Sequence, residues 1–217
     1  MVLFDLSGSA ASDTLRAHYG RIAEALAQEV RPGDRYVGLL VTDQSTADGI
    51  GTFEVKVPTE AQSGLNALTV RPLLDSLGRA FADEARRVLA AAPSACTDLG
   101  GALALTSRQF KASGRDSSRT ERRLVVMSDM VSTCGAVVIN EGVLSEHGPE
   151  AAVAKLQAAG QVPELPGVEV YVAGAGTDRH HTAEAQQRLE AFWQAYFAAA
   201  GAHLAPEHYG PTLMGWP

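Results

Sequence analysis

Short continuous apolar runs alternate along the chain with segments of helical periodicity. Runs of strand length occur at residues 2–4 (VLF), 35–41 (RYVGLLV), 122–128 (RRLVVMS) and 167–174 (GVEVYVAG). A first helical segment carries apolar side chains every three or four residues, at Leu15, Tyr19, Ile22, Leu26 and Val30. Apolar strands that alternate with helices predict a mostly parallel sheet with helices on both faces.

Residues 50–57 (IGTFEVKV) have a different period. Apolar Phe53, Val55 and Val57 alternate with polar Thr52, Glu54 and Lys56. A period of two predicts a half-exposed edge strand that forms a hairpin with the preceding strand. Further helices are expected from about Pro72 to Ala92, from residues 94–105 (SACTDLGGALAL) onward, near 150–159, and over the stripe Leu189, Phe192, Trp193, Tyr196 and Phe197.

These elements together predict a three-layer α/β fold. We expect a Rossmann-like, doubly wound sheet that is mostly parallel, with one antiparallel edge strand. The predicted domain covers residues 1–205. Residues 206–217 contain Pro and Gly but also Tyr209, Leu213, Met214 and Trp216, which predicts an irregular C-terminal tail that packs on the domain.

Charge and hydropathy exclude several classes of function. A net charge of −7 over 217 residues argues against nucleic-acid binding, which needs a clustered basic surface. No apolar stretch approaches the length of a membrane span. The chain reaches Asp5 before the hydrophobic region of a signal peptide could form. Two compartments stay open: the cytoplasm, or the periplasm or exterior for a chain whose leader has been removed.

Oxygen-bearing side chains follow three of the predicted elements. Asp5, Ser7 and Ser9 follow the first strand, Thr97 precedes a helix, and Asp129 ends the strand at 122–128. In an open α/β sheet, the loops at the carboxyl ends of the strands form the ligand crevice. We therefore expect these five side chains to converge on one rim of the sheet.

This pattern resembles the metal-ion-dependent adhesion site of the von Willebrand factor A (vWA) domain family. The family has D-x-S-x-S after its first strand, a threonine before a later helix and an aspartate after a later strand. By this resemblance Asp5, Ser7, Ser9, Thr97 and Asp129 are the metal ligands. The implied cation is Mg²⁺, with Mn²⁺ or Ca²⁺ as alternatives, since ligands that are all oxygen select hard cations.

The resemblance also implies a function. Hydroxyl ligands are neutral and leave much of the cation's charge uncancelled, and partners of the family supply a Glu or Asp side chain to the metal. We therefore expect a protein-binding module without catalysis. Compact bacterial members that resemble this chain often serve as accessory modules of larger assemblies.

Further polar residues are expected at the same rim. Asp43, Asp98 and Ser128 are predicted to support the ligands or add negative charge without binding the cation. Cys96 directly precedes Thr97, and Cys134 follows Asp129 by five positions. In the arrangement that the resemblance implies, both cysteines face this rim, which allows a disulfide; two unpaired thiols are the alternative.

Other interpretations of these residues stay open. Ser7 and Ser9 could form a turn and cap a helix that starts near Ser12, and Thr97 could be the N-cap of its helix. The stretch FDLSGS is also similar to the nucleophile loop of haloacid-dehalogenase-type phosphatases, with Asp5 as nucleophile. In that family a second aspartate acts as acid and base where this chain has Ser7. A structural scaffold with an unused metal site is a third hypothesis.

Overall fold

The computed structural model describes residues 1–7, 12–43, 45, 53–59, 67–113, 120–139, 148–177 and 182–216. Their strands are β1 (Val2–Asp5), β2 (Arg35–Val41), β3 (Phe53–Lys56), β4 (Arg122–Met127), β5 (Val168–Ala173) and β6 (Tyr209–Gly210). Their α-helices are α1 (Asp13–Gln28), α2 (Ala67–Leu89), α3 (Leu99–Ala112), α4 (Pro149–Ala158) and α5 (Ala183–Ala199). A single turn of 3-10 helix, Pro206–His208, precedes β6.

The strands form one sheet in the order β3-β2-β1-β4-β5-β6. All neighbouring strands are parallel except β2 and β3, which pair antiparallel. From β1 the sheet extends in one direction through β2 and β3. In the other direction it extends through β4, β5 and β6, so the strand order reverses between β1 and β4. The predicted three-layer α/β fold with one antiparallel edge strand is confirmed.

Helices cover both faces of the sheet. On one face, α1 and α2 pack on side chains that include Val2 and Phe4 of β1. On the other face, α3, α4 and α5 pack on side chains that include Leu3. Successive residues of a strand point to opposite faces, which is why a continuous apolar run suits a sheet covered on both sides. Full burial of a side chain such as Phe4 stabilises the fold by about 2 kcal/mol.

The edge strand follows the predicted alternation. Phe53, Val55 and Val57 are buried, whereas Glu54 and Lys56 are exposed. Thr52 lies outside the described residues. Glu54 forms an ion pair with Arg35 of the neighbouring strand. β3 lies at the edge of the sheet next to β2 and has one face in solvent, as the period of two predicts.

The bounds predicted for the second helix are wrong at both ends. Helix α2 begins at Ala67, five residues before Pro72, and ends at Leu89 rather than Ala92. Proline is favoured in the first helical turn because its missing N–H is unpaired there anyway, whereas Pro72 lies inside the helix. The helix nevertheless continues through Pro72, because Phe81, Ala85 and Val88 bury its apolar face against the sheet.

The segment from residue 206 onward, predicted as an irregular tail, contributes a strand. Tyr209 and Gly210 pair in parallel with Val172 and Ala173 of β5. Farther along, the Trp216 ring packs edge-on to the Tyr171 ring, with the centroids 5.1 Å apart. Within the part of the chain that the structure describes, no helix has both the length and the apolar character needed to cross a membrane.

Candidate metal centre

Two buried carboxylates lie where the strand order reverses. Asp5 is the last residue of β1, and Asp129 follows the end of the neighbouring strand β4 by two positions. Asp5 is 0 % and Asp129 2 % exposed. Burial, together with the negative charge of Asp129, raises the pKa of Asp5 to about 6. The two strands thus bring like charges together in a site with little water, at the usual position for a ligand in an open α/β sheet.

Both oxygens of the Asp5 carboxylate accept hydrogen bonds. The backbone N–H of Ser7 donates to Oδ1 at 2.9 Å, and the Ser128 hydroxyl donates to Oδ2 at 2.6 Å. These donors oppose the rise in the pKa of Asp5 without reversing it. The Ser128 oxygen in turn accepts a hydrogen bond from Met130 N–H at 2.9 Å. Ser128 therefore contacts one of the candidate ligands directly and fixes the start of the loop that carries Asp129.

The Ser7 side chain is buried with an unused oxygen. Ser7 is 3 % exposed, and its Oγ makes no hydrogen bond of regular geometry with any described residue. The hydroxyl lies close enough to Asp5 to help oppose the rise in the pKa of that carboxyl. A buried hydroxyl without a partner costs about 1–3 kcal/mol, so its oxygen is available to a cation. Ser9, the other predicted serine ligand, lies outside the described residues.

Thr97 is tied to the loop that follows Asp129. Its carbonyl accepts hydrogen bonds from Thr133 N–H at 2.9 Å and Cys134 N–H at 3.1 Å, and its own N–H donates to Thr133 Oγ1 at 3.0 Å. Next to it, Cys96 and Cys134 form a disulfide with the Cα atoms 5.9 Å apart. The described cysteines leave no free thiol. Thr97 and Asp129 are therefore held at the same rim by one covalent link and a set of hydrogen bonds.

Ser94 connects this loop to the ends of β1 and β2. It forms an isolated parallel bridge with Ser7, with Ser94 N–H donating to Leu6 O at 3.1 Å. Its hydroxyl accepts a hydrogen bond from Asp43 N–H at 2.8 Å. The structure thus brings Asp5, Ser7, Thr97 and Asp129 to one edge of the sheet.

Asp98 and Asp43 are arranged differently. Asp98 is the N-cap of α3, since its Oδ1 accepts a hydrogen bond from Gly101 N–H at 2.7 Å; Thr97 is therefore not the cap. The Asp98 carboxylate lies between Gly101 and Gly135, where a Cβ on either glycine would come within 2.1 Å of it. Asp98 and the exposed Asp43 line a separate cavity of about 570 Å³, which none of the four described candidate ligands lines.

Two aromatic residues that the D-x-S-x-S pattern does not indicate lie near the candidate site. Trp193 of α5 donates a hydrogen bond from Nε1 to Met130 O at 2.8 Å. Met130 has a positive φ of 69°, which is uncommon outside glycine, and this hydrogen bond helps to hold it. Tyr19 of α1 is fully buried, with an unpaired hydroxyl close to Asp5 and Asp129. Both residues belong to apolar helical stripes and pack in the core. Only their polar atoms, the indole N–H and the phenol O–H, indicate a role beyond packing.

The described donor set fits a hard cation. It comprises the carboxylates of Asp5 and Asp129 and the hydroxyls of Ser7 and Thr97, all of them oxygen ligands. Among the described residues no three His, Cys, Asp or Glu side chains cluster in a way that would hold a metal, so a soft, nitrogen- or sulfur-rich site is not what they form. Two carboxylates with hydroxyls and water suit Mg²⁺, which binds few protein carboxylates and keeps several waters.

Comparisons with known proteins identify no family for this chain. No family model matches the chain, and no curated protein matches it. A solved structure that is similar is that of an aerotolerance-related membrane protein from Bacteroides fragilis with multiple mutations to serines. It is 17 % identical, the match covers 94 % of this chain and 89 % of that chain, and the TM-score is 0.42. We assign neither family nor function from a likeness at this level.

Proposed function

We propose that this chain is a divalent-cation-dependent protein-binding module of the vWA type, without catalytic activity of its own. In this proposal Asp5, Ser7, Ser9, Thr97 and Asp129 hold Mg²⁺, and a Glu or Asp side chain of a partner protein binds to the cation. The site would lie on the rim of the sheet between β1 and β4.

The observation that supports this proposal best is the buried pair of Asp5 and Asp129. Among the described residues, the groups that oppose the rise in the pKa of Asp5 are hydroxyl and amide donors of Ser7 and Ser128. Two like charges that are buried side by side repel each other. A divalent cation would offset the repulsion between the two carboxylates and would also use the Ser7 oxygen.

The same donor set supports an acidic partner. Three of the five proposed ligands, Ser7, Ser9 and Thr97, are neutral and weakly donating, so much of the cation's charge would stay uncancelled. A coordination position that faces the rim would therefore favour an anionic oxygen over water. Carboxylates are the anionic oxygen ligands that protein partners carry.

The phosphatase alternative receives no support from the site. Ser7 stands where that family has the aspartate that acts as acid and base, and a serine hydroxyl cannot take that role with comparable efficiency at neutral pH. We therefore propose binding and not catalysis, with hydrolysis of a generic phosphoester as the assay that would contradict us.

Metal binding is the first test. Isothermal titration with Mg²⁺ and thermal unfolding with Mg²⁺ or a chelator are expected to show binding to the wild type. At roughly 100 times the dissociation constant, bound cation adds about 2.7 kcal/mol, a rise in Tm of about 5–10 °C for a chain of this length. Asp5→Asn and Asp129→Asn are expected to abolish the rise. Asp43→Asn, which removes an exposed carboxylate at the same end of the sheet, is the matched control and should keep it.

Partner binding is the second test. Proteins retained by the immobilised wild-type chain in Mg²⁺ are compared with those retained in chelator, by Asp5→Asn and by Asp43→Asn. A partner of the proposed kind is retained only in Mg²⁺ and only by the wild type and Asp43→Asn, and loses binding when one of its own Glu or Asp residues is changed to Gln or Asn. Retention of the same proteins in chelator and by Asp5→Asn contradicts the proposal. Absence of any Mg²⁺ effect on Tm favours the scaffold hypothesis instead.

A further inference from the structure

Tyr19 has a polar atom that the fold does not use. The side chain points from α1 into the core formed with β1 and α2, and it is 0 % exposed. Its hydroxyl oxygen is buried and has no hydrogen-bond partner among the described residues. A phenylalanine would bury the same ring without this cost, so packing alone does not explain a tyrosine here.

The Tyr19 hydroxyl lies close to the candidate metal centre. A Cβ on Gly174, at the end of β5, would come within 2.3 Å of this hydroxyl and 2.8 Å of the carbonyl oxygen of Ser128. Position 174 therefore requires glycine for two reasons: the close approach of these oxygen atoms and its φ of +111°. The hydroxyl is therefore inserted at the ends of β4 and β5, beside the residue that precedes Asp129.

The negative charges of the Asp5 and Asp129 carboxylates act on the Tyr19 hydroxyl. Burial raises the pKa of Tyr19, and the negative charges of Asp5 and Asp129 raise it further. The hydroxyl is therefore protonated throughout the physiological range and can both donate and accept a hydrogen bond. Ser7 Oγ is a second buried, unpaired hydroxyl beside the same carboxylate, Asp5.

We propose that Tyr19 is a positioning residue of the metal centre, whose hydroxyl hydrogen-bonds a water molecule that the divalent cation brings with it. The inference rests on the proposed function and adds a residue from helix α1 to a site otherwise built from the end of β1 and from loops. Because Tyr19 is fully buried, a side chain of a partner protein cannot reach it, whereas a water molecule can. Mg²⁺ keeps several of its waters in proteins, and a buried water is stable where about three polar groups surround it.

The Tyr19→Phe variant separates this role from a structural one. In chelator, its melting temperature is expected to equal or exceed that of the wild type, because an unpaired hydroxyl is removed. Its affinity for Mg²⁺ is expected to fall by about two- to tenfold, the scale of one hydrogen bond. The control is Tyr196→Phe, which removes a hydroxyl that donates to Gln161 O at 2.9 Å. That change should lower the melting temperature and leave the affinity for Mg²⁺ unchanged.

A spectroscopic measurement tests the contact in the wild-type protein. The chain has five tyrosines, so labelling with tyrosine carrying carbon-13 at Cζ gives five resonances, assigned by Phe variants of each in turn. Addition of Mg²⁺ is expected to shift the Tyr19 resonance and leave that of Tyr196 in place. This readout does not depend on the folding of Tyr19→Phe, because that resonance can also be assigned by elimination.

The outcomes distinguish this inference from the proposed function. Wild-type binding of Mg²⁺ that Asp5→Asn abolishes and Tyr19→Phe leaves unchanged, with an unshifted Tyr19 resonance, overturns only the role of Tyr19. No binding of Mg²⁺ by the wild type overturns both. A lowered affinity with a shifted Tyr19 resonance supports both.

Discussion

Ser128 donates a 2.6 Å hydrogen bond to Oδ2 of Asp5 and thereby joins the end of β4 to the end of β1. The two residues are 123 positions apart in the chain, and both are fully buried. A hydroxyl that donates to a buried carboxylate stabilises its charged form. The bond also orients Asp5 while the Ser128 oxygen accepts Met130 N–H, so one serine sets the geometry of two neighbouring loops.

Replacing this serine is expected to destabilise the protein. Ser128→Ala removes the donor to Asp5 and the acceptor for Met130 N–H, which leaves two buried polar groups unpaired. The free energy of unfolding should fall by about 2–3 kcal/mol, as measured by urea denaturation. Ser113→Ala, at an exposed hydroxyl that ends α3, is the control and should change it by less than about 0.5 kcal/mol. Equal effects of the two changes would contradict this role of Ser128.

Removing the charge of Asp5 is expected to stabilise the cation-free protein while it abolishes metal binding. Asp5→Asn keeps the size of the side chain and removes the repulsion by Asp129 and the cost of a buried charge. A pKa raised from 3.8 to about 6 corresponds to roughly 3 kcal/mol at neutral pH, which is the largest gain expected. Chemical denaturation in chelator measures the gain, and titration with Mg²⁺ measures the loss. A variant that is both less stable and still binds Mg²⁺ would rule out this trade-off.

The stability of the cation-free protein should depend on pH through Asp5. Its folded pKa of about 6 lies above the ordinary 3.8, so between these values the folded chain holds a proton that the unfolded chain has released. This group therefore stabilises the fold at low pH, and the contribution is lost as the pH rises from about 4 to about 6. The stability gap between Asp5→Asn and the wild type should widen from near zero at pH 4 to roughly 3 kcal/mol above pH 6.

Saturating Mg²⁺ should reverse this trend in the wild type. In the proposed site the cation would bind the ionised carboxylate, and protons would compete with it below pH 6. The rise in Tm caused by Mg²⁺ should therefore be larger at pH 7.5 than at pH 5. A stability gap that does not vary with pH, or a Mg²⁺ effect that grows toward acid, would show that Asp5 does not titrate in this range.

Breaking the disulfide is expected to lower the free energy of unfolding substantially and the affinity for Mg²⁺ only slightly. Cys96 and Cys134 are 38 positions apart, and releasing a loop of this length lowers the free energy of unfolding by up to about 4 kcal/mol. Thr97 keeps its backbone hydrogen bonds to Thr133 and Cys134, so Mg²⁺ affinity should fall less than about tenfold. The double variant Cys96→Ser/Cys134→Ser, compared with reduced and oxidised wild type, tests both expectations. Loss of all Mg²⁺ binding on reduction would show that the disulfide alone positions Thr97.

The fold and the place of the site follow from local features of the sequence. A buried strand must end where polar residues begin, so Asp5 and Asp129 mark the carboxyl ends of β1 and β4 without knowledge of the tertiary structure. Parallel strands then force these ends onto one edge of the sheet. The alternation at Phe53 and Glu54 likewise identifies the edge strand, because only one face of that strand meets the core.

Contacts between distant residues could not be predicted in this way. Thr97 and Asp98 are adjacent and both able to cap a helix, and only the path of the chain decides that Asp98 does so. The bond between Ser128 and Asp5 depends on the register of two strands far apart in sequence. Tyr19 fits an apolar stripe, and its unpaired hydroxyl becomes visible only when its surroundings are known.

The two edges of the sheet have a consequence for self-association. Among the described residues, one edge is β3, whose outward side chains are the charged Glu54 and Lys56, and the other is β6, which is two residues long. Charged or very short edge strands resist pairing with strands of another molecule. These two described edges therefore disfavour strand-to-strand association between copies of the chain, and a partner of the proposed kind would bind at the loops rather than at a sheet edge.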